Sequence, residues 1–133
     1  MIRAAIVGLG RWGQNLVNSV QGKSDKMRFV TGVLRHPENA RAYADEQGLA
    51  LESDYRKVLA DPNIAAIVLA TPHTVHAEQI IAAVRAGKPV FTEKPFTLTS
   101  VEAVEALRLA AQHKVTVGVG YNSRFQPALQ EIH

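Results

Sequence analysis

Hydrophobic residues in this chain fall into short, nearly continuous runs that alternate with longer segments of mixed polarity. Short apolar runs of this kind are typical of strands that are buried on both faces of a parallel sheet. They predict six strands, at residues 2–7, 28–34, 49–52, 64–70, 89–92 and 115–119.

The segments between these runs have the spacing and end signals of helices. Helices are predicted at residues 12–20, at 37–47 and, after a Ser53 or Asp54 cap, over a short stretch near 55–59. A fourth helix is predicted to begin after Thr74 and to end at Gly87, with Ala77, Ile81 and Val84 as its buried stripe. A fifth is predicted from a capping box at Thr99 and Glu102 to about residue 112.

Strict alternation of strands and helices predicts an α/β protein, a doubly wound parallel sheet of about six strands with helices on both faces. In such sheets ligands bind at the carboxyl ends of the strands. Five segments are therefore expected to meet at one edge: Gly8–Gly13, Arg35-His36, Thr71-Pro72-His73, Glu93-Lys94-Pro95 and Tyr121-Asn122.

Composition narrows the classes of function. The 133 residues are 47% hydrophobic and 20% charged, with no cysteine and a net charge of +3. These values are typical of a single soluble globular domain and exclude disulfides, thiolate catalysis and cysteine metal sites. The basic residues are scattered along the chain and form no cluster, so we expect no nucleic-acid partner. The longest apolar run is far shorter than the roughly 20 residues that are needed to span a membrane. A cytoplasmic protein without a membrane or nucleic-acid partner is predicted.

The first predicted strand runs directly into Gly8, Gly10 and Gly13, which have G-x-G-x-x-G spacing just before a predicted helix. In this setting the first glycine permits a tight turn, the second lets a phosphate approach the backbone, and the third lets helix and strand pack closely. The N–H groups of the first helical turn then suit a pyrophosphate. The alternative is an ordinary strand–turn–helix connection.

Four motifs are spread over essentially the whole chain: Gly-Leu-Gly-Arg-Trp-Gly at 8–13, Ala70-Thr71-Pro72 with His76, Glu93-Lys94-Pro95, and Gly120-Tyr121-Asn122 with Arg124-Phe125. Together, in this order and at this spacing, they resemble the Gfo/Idh/MocA oxidoreductases. The resemblance implies a Rossmann fold that binds NAD or NADP and hydride transfer between nicotinamide and a sugar, polyol or related hydroxy compound. A non-catalytic NAD(P)-binding sensor is the alternative.

Lys94 is the predicted catalytic residue. Oxidation of a secondary alcohol needs a group that stabilises negative charge on the substrate oxygen, which an ammonium can do. The resemblance implies that Lys94 contacts the substrate and the nicotinamide ribose, that Glu93 supports this region, and that a cis peptide precedes Pro95. For Lys94 the alternative is a solvated surface lysine, and for Glu93 a surface or capping role.

The end of the second strand bears on the choice of cofactor. NAD-binding proteins place an acid there, about 20 residues after the glycine loop, to hold the ribose hydroxyls. This chain has Leu34 followed by Arg35 and His36, with no carboxylate before Glu38. Arg35 could pair with a 2′-phosphate. NADP is therefore favoured over NAD, although a solvated loop arginine is the alternative.

The remaining candidates follow from position along the same edge. Trp12 belongs to the glycine loop, and we expect it to pack at the start of the helix more readily than to contact a ligand. We expect His76 to pack or hydrogen-bond in the first turn of its helix. No metal site is predicted, because two histidines at i, i+3 lack further ligands. The predicted cofactor-binding residues are Gly8, Gly10, Arg11, Trp12, Gly13, Arg35, His36, Thr71, Pro72, His73, His76, Glu93 and Lys94, and the predicted substrate residues are Lys94, Tyr121 and Asn122.

The resemblance also implies a second domain, which in that family holds most substrate contacts and aids oligomerisation. Residues 1–121 are expected to form the dinucleotide-binding domain, and 122–133 to begin the connection to a substrate domain that is absent from this chain. We therefore expect the full-length protein to be a homo-oligomer that acts on a small-molecule substrate. The 133 residues alone are expected to have little turnover.

Overall fold

A computed structural model of the chain describes residues 1–120. It has six strands, which confirms the predicted number. Their bounds are β1 Ile2–Val7, β2 Met27–Val33, β3 Ala50–Glu52, β4 Ala66–Leu69, β5 Val90–Glu93 and β6 Val117–Gly120.

The strands form one all-parallel sheet in the order β3-β2-β1-β4-β5-β6. The strand order reverses between β1 and β4, because the chain crosses from one edge of the sheet back to its middle after β3. A crevice opens at such a reversal, on the carboxyl side of the strands. The predicted doubly wound α/β fold is confirmed, and it brings the ends of β1 and β4 side by side.

Helices connect the strands on both faces of the sheet. Their bounds are α1 Arg11–Val20, α2 Arg41–Gln47, α3 Tyr55–Ala60, α4 His76–Arg85 and α5 Ser100–His113. Short 3₁₀ turns at Pro37–Ala40 and His73–Val75 lead into α2 and α4.

The hydrophobic core has two layers, one on each face of the sheet. On one face Ile6 and Phe29 pack with Val17 of α1 and Ala44 of α2. On the other face the apolar side chains of the sheet pack against α3, α4 and α5. Because the central strands contribute side chains to both layers, they are nearly all apolar, as the sequence pattern predicted.

Two of the predicted helix caps are confirmed. The Asp54 side chain accepts a hydrogen bond from the Arg56 backbone N–H at the start of α3. The Thr99 hydroxyl oxygen accepts one from the Glu102 N–H at 3.1 Å at the start of α5. Both satisfy an N–H that has no partner within its helix.

The beginning of α4 differs from the prediction. Thr74 lies within a 3₁₀ turn and does not cap α4, whose first residue is His76. The buried residues of α4 are His76, Ile80, Ala83 and Val84, whereas Ala77, Ile81 and Val84 were predicted. The stripe is thus rotated by about one residue, because a histidine takes the first core position.

No helix within residues 1–120 is long and apolar enough to cross a membrane.

Candidate functional site

The glycine loop joins β1 to α1 at the point where the strand order reverses. Gly8 has φ of +93°, and a Cβ there would lie 2.6 Å from the Ala70 carbonyl oxygen. A Cβ on Gly13 would overlap the Gly8 carbonyl oxygen. Both positions therefore require glycine, for the tight turn and for the close packing that the sequence predicted.

Gly10 differs from the other two glycines, because no atom lies within 4 Å of the Cβ position. It is the N-cap of α1, no side chain caps this end, and the first turn carries no acidic residue. Space is open at the Gly10 Cβ position, and the positive end of the helix dipole at this terminus favours an anion. Arg11 is exposed at the same helix end and adds positive charge.

Beside this loop lies a cavity of about 480 Å³ over the ends of β1 and β2. Arg35 is its charged lining residue, and no carboxylate of residues 1–120 lines it. Its other lining residues are Val7, Gly8, Val33, Leu34, Ser53, Tyr55, Thr71, Pro72, Thr74, Val75 and Gln79. A cation without a competing acid suits a phosphate-bearing ligand.

His36 lies outside this cavity lining. Its Nδ1 is 3.5 Å from a Glu38 carboxylate oxygen, and both side chains are largely exposed, at 69% and 72%. The structure thus brings Arg35 to the cavity, while His36 pairs with Glu38 on the surface.

A second cavity, of about 330 Å³, lies over the ends of β4 and β5. It is lined by Trp12, Ala70, Thr71, His73, Glu93 and Lys94. Thr71 lines both cavities, so the two meet there. Trp12 is 43% exposed, which differs from the packing favoured on sequence, because its side chain faces the cavity and not the core.

Lys94 follows directly after β5, and the peptide bond between Lys94 and Pro95 is cis, as the resemblance implied. The Lys94 side chain is exposed, and no carboxylate of residues 1–120 lies within ion-pair distance of its ammonium group. Glu93 is half-buried beside it. The Lys94 ammonium therefore lies at the cavity with N–H groups that can donate hydrogen bonds to a ligand.

The two histidines near β4 occupy different environments. His73 is exposed and lines the Lys94 cavity, whereas the ring of His76 is fully buried with its edge or face toward His73, 5.6 Å between centroids. Both ring nitrogens of His76 face backbone carbonyls, so the residue offers no exposed atom to a cofactor. Within residues 1–120 no cluster of three or more acidic or histidine side chains could hold a metal ion.

Three side chains that shape the site, those of Tyr55, Gln79 and Thr92, were not predicted as site residues from the sequence. The Thr71 hydroxyl donates to the Gln79 side-chain oxygen at 2.5 Å, and the Tyr55 hydroxyl donates to the Gln79 carbonyl at 2.9 Å. Burial raises the pKa of the Tyr55 hydroxyl. Thr92 is fully buried, and its hydroxyl oxygen lies 3.3 Å from the His76 Nδ1. The sequence carries no local signal for these three, because each contacts a residue from another segment.

A third cavity, of about 410 Å³, lies between α1 and β4–β6 on one face of the sheet. Its lining includes Leu16, Val20, Met27 and Phe91 and contains no charged side chain. It does not suit an anionic ligand. The predicted substrate residues Tyr121 and Asn122 lie outside the described residues.

Comparison with known proteins places this geometry in a family. Residues 2–121 match the GFO_IDH_MocA family model, described as an oxidoreductase family with an NAD-binding Rossmann fold. The chain is 39% identical over 132 residues to scyllo-inositol 2-dehydrogenase (NAD(+)) of Bacillus subtilis, covering 96% of the chain and 37% of that relative.

Among the solved structures with this fold, two examples contain a bound dinucleotide. One is scyllo-inositol dehydrogenase from Lactobacillus casei with bound NAD(H) and scyllo-inositol, at TM-score 0.90 and 26% identity, with 98% of this chain and 39% of that one covered. The other is the WlbA dehydrogenase from Bordetella pertussis in complex with NADH and UDP-GlcNAcA, at TM-score 0.91 and 28% identity, with 98% and 40% covered. The chain thus spans well under half the length of these relatives.

The glycine loop, the parallel sheet and the match over residues 2–121 agree, and the chain belongs to the Gfo/Idh/MocA oxidoreductase family, as a Rossmann domain of the NAD-binding type.

Proposed function

We propose that this chain is the dinucleotide-binding part of an NAD(P)-dependent dehydrogenase that acts on a sugar, polyol or related hydroxy compound. One observation carries the proposal: Lys94 lines a cavity that adjoins both the glycine loop and the Arg35 cavity. A dinucleotide whose pyrophosphate lies at the α1 N-terminus would place one nucleoside half in each cavity. The Lys94 cavity is then the nicotinamide end.

Each residue has a distinct task in this arrangement. The N–H groups at the start of α1 hold the pyrophosphate, and Arg35 contacts the adenosine half. The cofactor supplies a nicotinamide ring that accepts or donates a hydride. As the substrate C–H bond breaks and the hydroxyl proton passes to water, the Lys94 ammonium stabilises the negative charge that develops on the oxygen. Glu93 orients this end of the site.

The polyol assignment has support from the relatives above, each named as a dehydrogenase, one of them bound to scyllo-inositol. The alternative, a non-catalytic nucleotide-binding sensor, gains no support from them. A sensor also has no evident need for an ammonium group in the nicotinamide cavity.

Lys94→Met tests the catalytic assignment in a longer polypeptide that joins this chain to a substrate domain. Loss of one transition-state charge contact is expected to lower kcat about 10²- to 10³-fold for a polyol substrate. Lys57→Met, at an exposed lysine of α3, is the control and should leave kcat unchanged. Equal kcat values for the two variants would contradict the role of Lys94. For the 133 residues alone we expect little turnover, and near-normal turnover would contradict that.

We also propose that NADP is preferred over NAD. Arg35 lines the adenosine-side cavity, and no carboxylate of residues 1–120 lines it to repel a 2′-phosphate. Titration is expected to give at least tenfold tighter binding of NADPH than of NADH, since a charge-assisted contact contributes about 1.5–3 kcal/mol.

Arg35→Asp should reverse this preference, because it places a carboxylate where the 2′-phosphate would lie. Arg41→Asp makes the same change of charge at an exposed position of α2 outside the cavity, and it should leave the preference intact. Tighter binding of NADH by the unmodified chain would refute the NADP assignment.

A further inference from the structure

His76 is a buried polar residue that the proposed chemistry does not use. Its side chain is fully inaccessible to solvent at the first position of α4, although a polar ring is costly to bury without partners. Volume alone does not explain its presence, because an apolar side chain fills a core position without needing hydrogen bonds. Its partners therefore indicate what it does.

Those partners belong to two separate turns. The His76 Nε2 lies 2.9 Å from the Thr71 carbonyl oxygen, in the turn after β4. The Nδ1 lies 3.0 Å from the Pro95 carbonyl oxygen, in the turn after β5. Thr71 and Lys94, the residue just before Pro95, both line the proposed nicotinamide cavity. One ring thus joins the two segments that form that cavity.

Thr92 completes the arrangement from within β5. Its hydroxyl lies 3.3 Å from the His76 Nδ1 and 3.2 Å from the Glu93 carbonyl oxygen, to which it can donate. A neutral ring with its hydrogen on Nε2 donates to the Thr71 carbonyl and accepts the Thr92 hydroxyl at Nδ1, whereas one with its hydrogen on Nδ1 donates to the Pro95 carbonyl. In either tautomer the ring ties the connection between β4 and α4 to the segment around Lys94.

We propose that His76 is a positioning residue that fixes the backbone around Lys94 relative to Thr71 and thereby sets the Lys94 ammonium against the nicotinamide half of the bound cofactor. This inference rests on the proposed function. It differs from a direct cofactor contact, which the burial of His76 does not allow, and from a purely structural role, which would affect both halves of the cofactor alike.

The two roles are separated by comparing ligands with and without a nicotinamide. His76→Phe keeps a ring of similar size but removes the hydrogen bonds. The unmodified chain and this variant are each titrated with NADPH and with 2′-phospho-ADP-ribose, which lacks the nicotinamide. If NADH binds more tightly than NADPH, then NADH and ADP-ribose are used instead. We expect His76→Phe to weaken the reduced dinucleotide about tenfold, the effect of one lost charge-assisted contact, and to change the ADP-ribose ligand less than twofold. Equal losses for both ligands would overturn the inference.

A double-mutant cycle with Lys94→Met gives a second readout that structural damage would not produce. If His76 acts through Lys94, then His76→Phe in the Lys94→Met background weakens the dinucleotide little further. Fully additive losses would overturn the inference. If His76→Phe fails to fold, His76→Gln, which retains an amide donor, replaces it, and the same comparison decides with a smaller expected loss. Failure of the unmodified chain to bind any of these ligands would refute the proposed function itself, and the inference with it.

Discussion

Gly10 and Gly13 provide a matched pair of substitutions, because they lie in the same loop but serve different purposes. A Cβ at Gly13 meets the Gly8 carbonyl oxygen, whereas a Cβ at Gly10 meets no atom within 4 Å. Gly13→Ala should therefore damage the fold, and Gly10→Ala should damage ligand binding alone.

The expected magnitudes follow from these contacts. For Gly13→Ala, the methyl group would overlap a backbone oxygen, which belongs at the upper end of overpacking costs, about 3 kcal/mol, and this exceeds the gain of roughly 1 kcal/mol in helix propensity. For Gly10→Ala, a weaker N-cap costs about 0.5–1 kcal/mol, and the stiffer unfolded chain offsets this by about 0.4–1 kcal/mol. Gly13→Ala is thus expected to lower Tm by several degrees, at about 4 °C per kcal/mol, and Gly10→Ala by almost nothing.

Thermal unfolding followed by circular dichroism, together with a dinucleotide titration of each variant, measures both effects. Gly10→Ala should weaken the dinucleotide at least tenfold, because the methyl group occupies the path by which a phosphate reaches the N–H groups of α1. Unchanged affinity in Gly10→Ala would refute the placement of the pyrophosphate. Unchanged stability in Gly13→Ala would refute the steric account of the loop.

Three further predictions concern stability. Burial raises the pKa of the Tyr55 hydroxyl above its value in the unfolded chain, so its contribution to the free energy of unfolding is complete below a pH of about 10 and falls as the pH rises further. Tyr55→Phe should therefore lose less stability than the unmodified chain at alkaline pH. Parallel losses in the two proteins would contradict this. The buried ammonium of Lys88 donates to two backbone carbonyls, at 2.8 and 2.5 Å. Lys88→Met should therefore lower the free energy of unfolding, measured in urea, by about 1–3 kcal/mol, whereas the control Lys57→Met should change it by less than about 0.5 kcal/mol. Equal effects of the two substitutions would contradict a stabilising role of the buried contacts. Thr99→Ala removes the acceptor for the Glu102 N–H and should cost about 1 kcal/mol, which Thr99→Ser should restore; a cost that persists in the serine variant would point to a cause other than the cap.

The sequence pattern predicts the sheet well, because strands buried on both faces must be almost wholly apolar. The alternation of strands with helices then determines which strand ends meet, so the sequence alone assigns Gly8, Thr71 and Lys94 to one edge of the sheet. The position of these three residues depends only on the topology of the sheet, which the order of strands and helices along the chain determines.

The start of α4 could not be predicted in the same way. The sequence predicts that His76 packs or hydrogen-bonds in its helix, but hydrophobicity alone does not include a histidine in an apolar stripe, and the predicted stripe therefore begins one residue too late. His76 is buried because the Thr71 carbonyl, five residues earlier, and the Pro95 carbonyl, in the turn after β5, lie 2.9 and 3.0 Å from its ring nitrogens, and the periodicity of a helix contains neither partner. The surface pairing of His36 with Glu38 was missed similarly, because it depends on side-chain direction in a turn.

Trp12 allows the central claim to be tested directly, since it is the single tryptophan of the sequence and lines the Lys94 cavity. Reduced nicotinamide absorbs light at the wavelengths that tryptophan emits, so a nicotinamide in this cavity would quench Trp12 by energy transfer. The decisive measurement is Trp12 emission during titration of the 133-residue chain with NADPH and NADH. We expect saturable quenching with matching nicotinamide emission, reversed by an excess of the corresponding ADP-ribose ligand. Binding that leaves Trp12 emission unchanged, or no binding at all, would contradict the placement of the nicotinamide beside Lys94.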